Sequence, residues 1–335
     1  MDRRISLLRV TACFMVVLLH VSASGFHVFN GIWWAANFWD SLTRSCVPLF
    51  FMIAGATLLP KKESSFVFFK KRFVRIIPPL LFWSCISLGW LQYNGVAVGN
   101  WVIAILKGPT SYHLWYFYAI IGLYAFMPFL RKIYQNSNSN ERNWFVAIWF
   151  TVASLYPTLH TLFYARHCEG YIGSNGFVDV YNLSYFGGYI GYFFLGAIFY
   201  EKKVSQKLGV ALFAMASAGT VVATSVISNQ FKTPCEFFYV YLSPLVVMAA
   251  CGLFIAFMGM REGTPSRLTS TLADCSLGIY CIHAFVINPL FLRYITASIS
   301  ANYWFATLPI AIAVFVVSFT LIFLGRKVGF GRYVT

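Results

Sequence analysis

The chain has 335 residues, 59% of them hydrophobic and only 10% charged, with a formal net charge of +15 and a mean hydropathy of +0.69. A soluble domain carries about 25% charged residues, so the composition excludes one and points to an integral membrane protein. The apolar runs have helix-spanning length and none alternates as a membrane β-barrel strand does, which leaves an all-α polytopic fold.

Taken in chain order, the hydropathy predicts about ten transmembrane helices within a single domain over 1–335. They lie at 6–27, 44–60, 76–94, 111–130, 143–163, 183–200, 208–228, 237–259, 271–291 and 303–325. The first reads ISLLRVTACFMVVLLHVSASGF and contains Arg9 and His20. Eleven residues is close to three helical turns, so the two side chains share a face, roughly 16 Å apart along the axis. An ionisable group inside a membrane helix is expensive unless it faces protein or water. The alternative is a snorkelling arginine and a satisfied core histidine. Val21-Ser22-Ala23 after the basic MDRR resembles a cleavage site, yet Arg9 interrupts the apolar core and further spans follow, so a retained helix is expected.

Residues 28–43 are predicted as an outward loop, with Trp33, Trp34, Phe38, Trp39 and Asp40 suited to a sugar or to an interfacial belt. The following inward stretch, KKESSFVFFKKRFVRIIPP, is basic and aromatic. Phe66, Phe69, Phe73 and Ile77 recur at helical spacing, which predicts an amphipathic surface helix ended by Pro78-Pro79. Its lysines suit anionic lipid, while Arg72 and Arg75, at i and i+3, could grip one phosphate. His113 opens the fourth span. A second outward loop, 164–182, carries Tyr164, His167, Glu169, Tyr171, Asn175, Asp179, Tyr181 and Asn182. The ninth span has Asp274 at its inner end and His283 further along.

The basic residues test this layout. Arg44, Lys107, Arg166, Lys232 and Arg293 fall on one side, Arg9 within the first span, and every other Lys and Arg on the opposite side. The positive-inside rule then puts both termini in the cytoplasm, and the +15 charge reflects topology rather than nucleic-acid binding. The eight cysteines show no metal-type spacing. Cys168 and Cys235 fall in two outward loops and could form a disulfide.

His20, His113 and His283 are all expected in the outer half of the membrane, around one cavity. A histidine of near-neutral pKa can take a proton from a hydroxyl. Three histidines could also bind zinc, but no carboxylate on these helices supplies a supporting shell, so no metal is expected. Arg9, Arg72 and Arg75 on the inner side suit an anionic, phosphate-bearing donor. The gap from Arg9 to His20 is comparable to a coenzyme A pantetheine arm. A transporter or flippase that uses buried Arg and His as a proton relay is the other reading, though the chain has no internal repeat and no matching pair of broken helices.

Arg9, ten intervening residues and His20 resemble the R-x10-H signature of the acyltransferase family 3 membrane proteins. Arg72-x-x-Arg75, VPLFFMIAG at 47–55, HLWYF at 113–117 and SLGIYCIH at 276–283 extend the resemblance over essentially the whole chain. It looks closest to short, single-domain members that O-acetylate O-antigen or related surface polysaccharides of Gram-negative bacteria. The resemblance implies an inner-membrane enzyme that takes acetyl from cytoplasmic acetyl-CoA and delivers it to a periplasmic sugar hydroxyl or a lipid-linked precursor. A lipid, peptidoglycan sugar or secreted metabolite as acceptor stays open. His20 would be the base, Arg9, Arg72 and Arg75 would handle the donor, and His113 or His283 would orient the acceptor or stabilise the oxyanion. One departure stands out. Many relatives read D-G-L-R-G around the first arginine, where this chain has Ser6-Leu7-Leu8-Arg9-Val10. Asp2 and Asp274 are the carboxylates that could replace the missing one.

Overall fold

A computed structural model describes residues 2–27, 29–165, 168, 186–202, 204–287, 303–329 and 331–334. The second outward loop therefore lies almost wholly outside the described residues, as does Arg293. No β-strand occurs among the described residues, and the helices pack into one bundle. Eight helical runs are long and apolar enough to cross a membrane, or nine if one bent pair is a single span. The remaining predicted span, 183–200, corresponds to a helix described from Phe186 to Glu201.

Helix α1 (Arg3–Ser22) starts on Asp2, whose side chain accepts from the Arg4 amide, and is buried on nearly every side. A helix that is apolar all round belongs in the interior. Accordingly, α1 packs on α2 (Gly31–Thr43), α3 (Cys46–Leu58) and three helices from the second half of the chain, Pro244–Met258, Arg267–Ile287 and Tyr303–Gly325.

Residues 28–43 correct the sequence reading. Gly31–Thr43 form a helix, not an exposed loop. Asn30 caps α2 by accepting from the amides of Ile32 and Trp33, and Trp33, Ala36, Asn37 and Asp40 recur at helical spacing on its buried face. The aromatics that suggested a sugar-binding loop are partly core: Trp33 is fully buried, with its ring 5.7 Å from Phe26.

Helix α4 (Ser65–Tyr93) brings a second correction, because it runs straight through Pro78-Pro79. The two prolines leave the carbonyls of Val74 and Arg75 without helical donors. Both of those residues are exposed, so that cost is met at the surface and the helix continues. The short α5 (Trp101–Lys107) follows. The predicted span 111–130 is broken, since α6 (Trp115–Ala125) and α7 (Met127–Asn136) meet at a 58° bend beside Pro128.

Helix α8 (Ser139–Trp149) opens on an Asn138–Glu141 capping box and continues through π-turns and α9 (Tyr156–His160). Then come α10 (Phe186–Glu201), α11 (Gln206–Phe231), α12 (Pro244–Met258), α13 (Arg267–Ile287), α14 (Tyr303–Gly325) and α15 (Gly331–Val334). The tightest approach joins α3 and α10. A Cβ on Gly55 would run into the backbone of Phe193, and one on Gly196 into that of Met52. Small residues that allow backbones to touch are the usual device where lipid supplies no hydrophobic drive.

The two ends of the bundle are unlike. At the end where the chain starts, Asp2 bonds Arg4 at 2.7 Å and Tyr200 at 3.1 Å, Arg4 reaches Glu262 at 3.1 Å, and Arg142 pairs with Glu201 at 3.1 Å. Glu63, in the turn before α4, receives Lys71 at 2.7 Å, Lys61 at 3.4 Å and Arg131 at 3.4 Å. The opposite end carries the Cys168–Cys235 disulfide.

Candidate active site

The three histidines named from the sequence converge. His20 occupies the last turn of α1, His283 lies on α13, and His113 sits in a single 3-10 turn that leads into α6. The His20 and His283 rings are 5.1 Å apart with planes at 28°, and the His283 and His113 rings are 5.2 Å apart, edge to face. Tyr112 closes the group, its ring 5.0 Å from His20. His113 and His283 are buried, whereas His20 is partly open.

Hydrogen bonding gives the three rings different capacities. A carbonyl only accepts, so the 3.0 Å contact of His113 Nε2 with the Cys281 carbonyl puts the proton on Nε2. His113 Nδ1 is then an acceptor for the Ser111 hydroxyl at 3.0 Å, and Tyr280 donates its hydroxyl to the His113 carbonyl. Both ring nitrogens of His113 are engaged. His283 donates from Nδ1 to the Tyr280 carbonyl at 2.6 Å. Its Nε2 is therefore a bare lone pair, buried and without a partner among the described residues. Neither ring has an N–H left over for a substrate.

The arginines gather nearer the start of α1. Arg9, Arg72 and Arg75 all act electrostatically on Tyr124 of α6, and Arg9 and Arg75 also on Tyr116. Arg72 lies over the rings of Phe68 and Tyr124, at 5.4 and 6.0 Å, and its Nε finds no partner among the described residues. Arg131 covers Phe68 at 4.6 Å and is tied to the Leu58 carbonyl at 2.8 Å. Outside the membrane-spanning segments, the hydrogen bond from Lys71, then the charges of Lys61 and Lys71, hold the Glu63 carboxyl down at about 2. Of the two carboxylates that could stand in near Arg9, Asp274 is an electrostatic neighbour of it, while Asp2 is engaged by Arg4 and Tyr200. Tyr116 bridges the two groups, since its ring is 5.9 Å from that of Tyr280, which touches His113 at 5.8 Å.

Sequence reasoning read Asp40 as part of a sugar-compatible outward loop and Arg44 only as a charge at its edge, and missed their pairing. Asp40 is fully buried and bonds Arg44 at 2.9 Å, with Ser22 Oγ at 3.4 Å from its other oxygen. Arg44 lies 4.1 Å over the ring of Tyr239 and is an electrostatic neighbour of His20. An Asp and an Arg at i and i+4, the spacing of a helical ion pair, was the available signal. Among the described residues, no group of three His, Cys, Asp or Glu side chains is arranged to hold a metal ion.

A protein-family model described as an acyltransferase domain matches residues 2–325 of the chain. No curated protein and no solved structure matches it.

Proposed function

The chain belongs to this acyltransferase family, and we propose that it is an O-acetyltransferase that moves an acetyl group from acetyl-CoA to a hydroxyl of a surface polysaccharide or its lipid-linked precursor. The observation that carries the reading is the pairing of two unlike groups in one bundle. Three arginines surround Tyr124 towards one end, and three histidines meet towards the other. The span between Arg9 and His20, roughly 16 Å along α1, suits a donor held by its phosphates with its thioester extended.

In this reading His20 is the general base. It takes the proton of the acceptor hydroxyl as that oxygen bonds to the thioester carbon, and returns it to the departing thiolate. The His283 ring, stacked 5.1 Å from that of His20, holds the base in place and adds no positive charge of its own beside it. His113, with both nitrogens engaged, fixes the wall of the site.

The orientation we propose places the basic end in the cytoplasm and the histidine end in the periplasm of a bacterial inner membrane. The positive-inside distribution supports it, and so does the Cys168–Cys235 disulfide, which favours an oxidising compartment at its end. Proton NMR of the cell's surface polysaccharide tests the proposal. An acetyl resonance with the wild-type protein that is lost in His20→Ala, at equal protein level, is expected. Equal acetylation in both would refute it.

A further inference from the structure

An acyl transfer needs a donor for the negative charge that develops on the thioester carbonyl oxygen, and this group is usually the largest single contributor to rate. The histidines do not supply it. The Nε2–H of His113 is taken by the Cys281 carbonyl and the Nδ1–H of His283 by the Tyr280 carbonyl. What remains for His283 is a lone pair, which would repel an oxyanion rather than bind it.

A cation within electrostatic range of His20 is Arg44. The fold has built a seat for it. Helix α2 returns along the outer part of α1, so that Asp40 meets Ser22, two residues beyond His20. Asp40 in turn binds one guanidinium nitrogen of Arg44, and the Tyr239 ring lies 4.1 Å beneath. Arg44 Nε is buried and has no partner among the described residues. A buried guanidinium N–H left unmatched is costly, and such an exception calls for an explanation.

We propose that Arg44, held by Asp40, is the catalytic residue that stabilises the oxyanion, a role that rests on the acyltransferase reading above. The acceptor oxygen forms a bond to the carbonyl carbon while His20 takes its proton, and the carbonyl electron pair moves onto the oxygen facing Arg44. That pair re-forms the double bond as the carbon–sulfur bond breaks, and the thiolate leaves with the proton from His20. Arg44 donates hydrogen bonds throughout and keeps its own protons. A fixed cation in a water-poor site is suited to this task, because its dipoles need no reorganisation as charge develops.

Removing Arg44 alone would strand the Asp40 carboxylate in the interior, so the test uses Arg44→Lys, which keeps the ion pair, and the double variant Asp40→Asn/Arg44→Gln, which removes both charges. The readout is thiol release from acetyl-CoA by the protein in membrane vesicles that contain the surface glycan. The double variant is expected to lower kcat about 100-fold with both KM values unchanged, and Arg44→Lys to fall between it and wild type. A raised acceptor KM with unchanged kcat would reassign Arg44 to acceptor binding and overturn the proposal. A double variant that turns over like wild type would overturn it as well. If wild-type protein releases no thiol, the acyltransferase reading falls together with the inference, which sets that failure apart from the others.

Discussion

The arginine group and the histidine group use ionisable side chains in opposite ways. Around Tyr124, Arg9, Arg72 and Arg75 bring like charges together, with Asp274 among the groups acting on Arg9, an arrangement that suits a polyanion. Around His283, by contrast, nearly every polar atom is committed: His113 to Cys281 and Ser111, His283 Nδ1 to Tyr280, Asp40 to Arg44 and Ser22. A site that binds a ligand by charge tolerates slack, whereas a site that moves protons needs fixed tautomers. Among the groups left uncommitted at the histidine end, the lone pair on His283 and the N–H on Arg44 are therefore informative.

The strongest way to break the comparison is to break the bundle in which both groups stand. Gly196→Leu forces a side chain into the Met52 backbone where α10 meets α3, and should cost more than about 3 kcal/mol and abolish the folded protein, read as loss from detergent-stable monomer or oligomer peaks. Substitutions within the histidine group should then divide by role. His283→Leu removes the free lone pair and is expected to lower kcat about 100-fold at normal protein level. His113→Leu removes two hydrogen bonds and should cost about 1–3 kcal/mol of stability, seen as a lower melting temperature, with a smaller effect on kcat per folded molecule. Equal behaviour of the two variants would erase the distinction drawn from their hydrogen bonds.

At the arginine group the expected signature is weaker and different in kind. Arg72→Ala and Arg75→Ala should each raise the KM for acetyl-CoA about tenfold, or about 1.4 kcal/mol, and leave kcat nearly unchanged. The smallest effect concerns Glu63. Its carboxyl sits near 2 rather than the ordinary 4.5 because Lys71 and Lys61 favour the ionised form. A depressed folded value means that the stabilisation is fully present above about 4.5 and is lost as pH falls through about 2. Acidification across that window should loosen the turn before α4, seen as faster amide exchange at residues 61–64, and Glu63→Gln should remove this pH dependence.

Much of this organisation was legible in the sequence. Helical spans reveal themselves by length and apolarity, and an ionisable residue in a span is conspicuous, so Arg9, His20, His113 and His283 could be named before any coordinates. Their meeting point followed from counting residues from each membrane face. Helix α2 was not legible for a physical reason: Asn37, Asp40, Ser41 and Thr43 make its sequence polar, and while Ser41 and Thr43 bond within the helix and Asp40 to Arg44, the burial of Asn37 depends on Ser225 and Tyr239, and Asp40 also meets Ser22. Local pattern cannot register partners that are nearly 200 residues away. The passage of α4 through Pro78-Pro79 was hidden for a related reason, because whether an orphaned carbonyl faces water or core is a tertiary property. Hydrogen-bond direction at His113, from which the division of labour follows, depends on the Cys281 carbonyl of α13, which only the fold brings into place.

The central claim, that donor binding and proton transfer occupy opposite ends of one bundle, is tested most directly with sealed vesicles of both orientations given labelled acetyl-CoA on the outside only. The account predicts that label is transferred only when the Arg72–Arg75 end faces the labelled donor, that acetylated glycan accumulates on the histidine side, and that His20→Ala does neither. Transfer from acetyl-CoA supplied to the histidine side, at a rate equal to that from the arginine side, would contradict it.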